Sequence, residues 1–144
     1  MNDRVLFLLL FIAAVVNPAA AVQIEREFVN RDRGYRIILV GDWQPVSYTD
    51  AVGRQKTEFV FRSRHDGVLA VTREGLAGRS LVDKVDSDLS DLKLCYTCLF
   101  TGKDTFRGGQ LSGLRATHYY LVNNRKVVGT CYYLQDGNAV WILR

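Results

Sequence analysis

Two of the three cysteines, Cys95 and Cys98, stand in a Cys-x-x-Cys spacing within "LKLCYTCLFTGK". Residues of that type and spacing can do dithiol redox chemistry or supply half of a metal site. A third cysteine, Cys131, and two histidines, His65 and His118, complete the set of soft or titratable groups near neutral pH. A redox dithiol of the thioredoxin kind puts its first cysteine at a helix N-terminus, where the dipole favours the thiolate. Here Cys95 follows a helical pattern, and the residues after it are β-prone. A closed zinc site needs four ligands, and no second paired spacing accompanies Cys95 and Cys98. No phosphate-binding glycine loop, Gly-x-Ser-x-Gly or His-Glu-x-x-His is present. The chain therefore implies no catalytic residue, no metal and no cofactor.

The compartment decides how the cysteines are read. The chain opens "MNDRVLFLLLFIAAVVNPAAAVQ". Arg4 precedes an unbroken apolar run from Val5 to Val16, then Pro18, then the small residues Ala19 to Ala21. That layout predicts a secretory signal peptide over 1–21, cleaved after Ala21. The run is shorter than the roughly 20 residues that span a bilayer. The remaining 22–144 fits one domain, secreted or periplasmic, with no stable membrane insertion after cleavage. The formal charge is +4, from 19 basic and 15 acidic residues. The bases are scattered, which argues against a nucleic-acid partner.

An exported chain can form disulfides. Residues three apart on a strand lie roughly 10 Å apart on opposite faces, beyond the about 7 Å a disulfide allows. Cys98–Cys131 is therefore the preferred pairing over Cys95–Cys98, with one cysteine left over.

The elements that would position these groups are mostly strands. "VQIEREFVN" and "GYRIILV" alternate around the turn-rich "NRDRG". "GDWQPVSYTDAVGR" reads as a loop, punctuated by Gly41, Pro45 and Gly53. "KTEFVFRSR" and "VLAVTRE" flank His65-Asp66-Gly67, a tight hairpin signal. One main helix is predicted from Ser80, its cap, to Leu92, with Leu81, Val85, Leu89 and Leu92 as the apolar stripe and Val82 widening it. Asp83, Asp86, Asp88 and Asp91 read as its solvated face. "FRGGQLSG" reads as a bend or hairpin. "LRATHYYLV", "KVVGTCYYLQ" and "AVWILR" then form a meander. His118 falls in phase with Leu114 and Ala116, as a partly buried, hydrogen-bonded histidine; His65 is expected to be exposed. Within Tyr119–Tyr120 and Tyr132–Tyr133, one ring should point to each sheet face.

These observations predict an α+β fold: an antiparallel sheet of about six to seven strands with the helix packed on it. Three features resemble the PsbP-like family, extracytoplasmic domains similar to the extrinsic PsbP photosystem subunit. They are "GYRI" followed by "DW", the segment "GGQLSGLRATHY" from Gly108 to Tyr119, and the closing hairpin around "DGN". The sequence departs in lacking a proline before Gly41 and in ending at Arg144, where relatives usually continue into a helix. The resemblance implies a PsbP-like domain over 22–144, a non-catalytic role and a protein partner in the cell envelope, with one sheet face thinly covered or covered by that partner. The alternative is an envelope thiol–disulfide oxidoreductase using Cys95 and Cys98.

Overall fold

The structure, a computed structural model, describes residues 7–10, 24–95 and 99–144. Two compact units emerge: Met1–Leu69 with Gly108–Gln110, and Ala70–Arg107 with Leu111–Arg144.

In the first unit, β1 (Phe7–Leu10) runs parallel to β3 (Tyr35–Val40), and β2 (Glu25–Asn30) pairs antiparallel with β3. The β2–β3 turn closes where Asn30 accepts from the Gly34 and Arg33 amides, with Gly34 at φ 71. Tyr35, Ile37 and Leu39 bury one face of β3, the period-2 pattern its sequence shows.

The stretch after Gly41 is not the expected loop. Trp43–Thr49 forms β4, paired antiparallel with β5 (Gln55–Phe61). Trp43 is buried, donates its indole N–H to the Val40 carbonyl and packs on Phe61 with ring centroids 5.2 Å apart. Pro45 hides the alternation in sequence, yet β4 ends its sheet, where a missing N–H is tolerated. The Asp66-Gly67 turn is also wider than expected. Phe61 donates to the Gly67 carbonyl, and the left-handed residue is Arg62 at φ 54. Ser63 holds the loop through its hydroxyl on Asp66.

The second unit carries β6 (Val68–Gly75), α1 (Leu81–Cys95), β7 (Leu99–Gly108), β8 (Leu111–Val122), β9 (Arg125–Asp136) and β10 (Ala139–Leu143). Its strands lie in the order β6-β10-β9-β8-β7. The β8–β9 connection is Asn123-Asn124, both at positive φ, as a two-residue primed turn requires. β10 is flanked on both edges and all five of its residues are buried. The architecture is α+β: mostly antiparallel sheet with one helix among the described residues.

Ser80 caps α1 as expected. Its hydroxyl accepts from the Asp83 amide and donates to the Asp83 carboxylate. The helix continues past the expected Leu92 to Cys95. Val85 and Leu89 pack on Ala116, Cys131, Tyr133, Val140 and Ile142, with Leu81 and Leu92 at the margin. Val82 does not widen this stripe; it is 48% exposed.

Candidate interaction surface

Cys95 is the last residue of α1, at the negative end of the helix dipole. Cys98 lies outside the described residues, and with it both disulfide pairings. Cys131 is 2% exposed in the core, opposite Ala116 of β8. β8 stands between β9 and β7, so Cys131 and the strand that follows Cys98 are second neighbours. Second neighbours are roughly 10 Å apart across a sheet, so a Cys98–Cys131 bond needs the chain before Leu99 to cross β8. His65 is exposed in the β5–β6 connection, as expected. Among the described residues, no three His, Cys, Asp or Glu side chains group to hold a metal.

The register sorts β8 and β9 into two faces. Leu114↔Tyr133, Ala116↔Cys131 and His118↔Gly129 share one face, and Ala116, Cys131 and Tyr133 pack there against α1. Tyr119↔Val128 and Leu121↔Lys126 share the other. Each tyrosine pair is split between the faces, as the strand period demands. Tyr133 is fully buried in the core, while Tyr132 stacks at a tilt on Phe106.

On the helix side is a buried charge network that the sequence did not announce. Lys84 reaches Asp88 at 2.6 Å and Glu74 at 2.8 Å; Arg144 reaches Asp88 at 2.5 Å. Lys84 and Asp88 are both buried, so Asp88 does not belong to the solvated face assigned to the helix aspartates. Burial alone would lower the Lys84 pKa, but the hydrogen bonds to Asp88 and Glu74 outweigh it and leave it raised. Likewise burial opposes the Arg144 charge, but Tyr133 and Asp88 leave its pKa raised. The signal in sequence was the i,i+4 spacing of Lys84 and Asp88 beside Val85 and Leu89.

His118 is 7% exposed. Its ring stacks on Tyr120, but Nδ1 is buried with no hydrogen-bond partner among the described residues, unlike the bonded histidine expected. Burial and then the Arg144 charge push its pKa down. The imidazole is held neutral.

The opposite face of the hairpin is open. Leu121 is 65% and Val128 60% exposed, diagonal neighbours across β8 and β9. Tyr119 lies between them, with the Lys126 ammonium 4.2 Å from its ring centroid. A second concavity, of about 510 Å³, is lined by Leu81, Val82, Phe106, Arg107, Leu114 and Gln135, among others. The exposed apolar face of the hairpin was missed because each strand reads as an ordinary sheet member. Its signal was apolar residues on both sides of the Asn123-Asn124 turn. No helix among the described residues is long and apolar enough to cross a membrane.

A scan against protein-family models gives no match, and a search of curated proteins gives none either.

Proposed function

We propose that this protein is an exported, non-catalytic domain that binds a protein partner and stabilises an assembly in the cell envelope. The observation that carries the reading is the β8–β9 hairpin, which holds Leu121, Val128 and Tyr119 together on one exposed face. Single exposed apolar side chains are ordinary. Adjacent ones on one hairpin, rimmed by Arg125 and Lys126, have the make-up of an interaction site: aromatic and aliphatic contacts inside, polar groups around. Export is supported by the apolar leader, and a PsbP-like role by the three sequence resemblances. The thiol–disulfide alternative is disfavoured by Cys95 at the carboxyl end of α1, where the dipole opposes a thiolate.

A photo-crosslinking amino acid at position 121, in the protein expressed in its own host, tests the proposal. It should yield a discrete adduct with one envelope protein. Leu121→Asp with Val128→Asp should abolish co-purification of that protein while leaving the circular dichroism unchanged. A double variant that retains the partner at wild-type level would sink the reading, as would the lack of any adduct.

A further inference from the structure

Val82 stands on the first turn of α1, yet it is 48% exposed and lies outside the stripe that packs on the sheet. It borders the concavity of about 510 Å³ that α1 forms with β7 and β8. Leu81 and Leu114, both only partly buried, complete an apolar floor there. The volume falls within the roughly 300–1,000 Å³ of sites that hold small molecules.

The strand period turns polar groups toward the same floor. Lys103 of β7 reaches Asp86 of α1 at 2.6 Å, so Thr105 and Arg107, two and four residues on, share the helix side. Asp104 and Phe106 alternate with them and are engaged by Arg115 and Tyr132. Of the three charged side chains on β7, Lys103 and Asp104 are paired. Arg107 is exposed and has no ion pair or hydrogen bond among the described residues. The hydroxyls of Thr105 and Ser112, which line the same space, are also without a partner among them.

No acidic residue lines the concavity. On the adjoining turns of α1, Asp83 is held by Ser80 and Asp86 by Lys103. The site thus sets an uncompensated positive charge beside an apolar floor, and its occupant has to supply the negative charge.

We infer that this concavity binds a small amphipathic carboxylate, with its aliphatic chain on Leu81, Val82 and Leu114 and its carboxylate on Arg107. A guanidinium can take both carboxylate oxygens through two parallel N–H···O bonds. The Thr105 and Ser112 hydroxyls donate to the lone pairs that remain. The apolar floor supplies affinity, and the charge pair selects an acid over an alcohol of the same length. The site lies on the helix side of the sheet, away from Leu121 and Val128, and does not depend on the protein-binding reading above.

Decanoate, kept below its micelle concentration, is the probe, titrated into the full chain and read by amide chemical shifts. Saturable shifts should appear at Leu81, Val82, Thr105 to Arg107 and Ser112 to Leu114. Decanol and acetate each lack half of the ligand and should bind at least about tenfold more weakly. Arg107→Gln, a change at an exposed position, should weaken decanoate about tenfold and leave decanol unaffected. Val82→Asp, which the first turn of a helix tolerates, should weaken both. Lack of saturable shifts at these residues would overturn the inference. So would equal affinity for decanol, or an Arg107→Gln protein that binds decanoate like the wild type. Shifts confined to Leu121 and Val128 would mean adsorption on the opposite face. Binding only to phosphatidylcholine vesicles loaded with decanoate would assign the contact to a membrane surface and overturn it too. Any of these failures leaves the hairpin crosslinking result, and the reading it tests, untouched.

Discussion

Gly129 lies beneath the imidazole of His118. The two are cross-strand partners, and a Cβ at position 129 would stand 2.6 Å from His118 Cε1. The ring occupies the space that any other residue would need. Gly129→Ala therefore has to push a buried ring aside, at a cost of about 1–2 kcal/mol in urea unfolding. In a double variant with His118→Ala that cost should largely vanish, because the two changes compete for one volume. Additive costs would show that the ring is not what excludes the methyl group.

The same ring makes stability depend on pH. Burial first, and the Arg144 charge second, lower its pKa from 6.5, so the unfolded chain takes up its proton before the folded one. Stability is complete above pH 6.5 and declines as the pH falls from there toward the folded value. The slope is no steeper than about 1.4 kcal/mol per pH unit, the value for one proton. Asp83, held down by hydrogen bonds from Ser80, and Asp104, held down by Arg115, lose their contributions only in a lower window, as the pH drops below 3.8. Unfolding midpoints between pH 7 and 5 should therefore fall in the wild type and flatten in His118→Asn. A variant with an undiminished slope would assign the dependence elsewhere.

Much of the fold was legible because the sequence writes it with local rules. Ser80 and Asp83 mark the start of α1, and the Asn123-Asn124 and Gly137-Asn138 turns mark their hairpins. β4 was not legible, because Pro45 breaks its alternation and only the sheet-edge position makes that proline acceptable. The extension of α1 to Cys95 was missed because β-prone residues follow at once. The burial of Asp88 was missed as well, its i,i+4 spacing from Lys84 being too weak a sign on its own. A carboxylate on a helix looks solvated until Lys84 and, 56 residues later, Arg144 are seen to close on it. The hairpin surface is tertiary in the same way: Leu121 and Val128 become neighbours only through the register.

Asp88 is the hub of the buried network, accepting from Lys84 and Arg144. Asp88→Ala leaves two cations short of a partner and should cost about 3 kcal/mol, the range for breaking a buried pair. Lys84→Met with Asp88→Leu removes the buried pair together and should recover most of the loss, because desolvation of those two ions is then avoided and Arg144, which loses Asp88, is part exposed to solvent. Guanidinium titrations of the three proteins give the comparison. A double variant as unstable as Asp88→Ala would mean that the network fixes the packing of α1 in a way apolar side chains cannot replace.

The cap of α1 offers a smaller and more local test. Ser80 satisfies the Asp83 amide, which has no partner within the helix. Ser80→Ala should cost about 1 kcal/mol, and Ser80→Gly less. Amide exchange should accelerate in the first turn and leave the β8–β9 ladder unchanged. Uniform acceleration throughout the sheet would show instead that α1 and the strands open as one unit.

Cys131 is packed among Val85, Leu89, Ala116 and Tyr133 rather than presented to solvent. In the reduced, folded protein its thiol should resist alkylation and react only as the core opens, because a reagent must enter a site that is 2% exposed. The rate of its modification should therefore follow the global unfolding equilibrium across a urea series. Cys131→Ser puts a hydroxyl into an apolar site and should destabilise more than Cys131→Ala, which leaves only a small void. Fast alkylation without denaturant would place this thiol at the surface and overturn the assigned packing. Peptide mapping without reductant then tests the Cys98–Cys131 pairing. A linked peptide would show that the chain before Leu99 carries Cys98 back across β8.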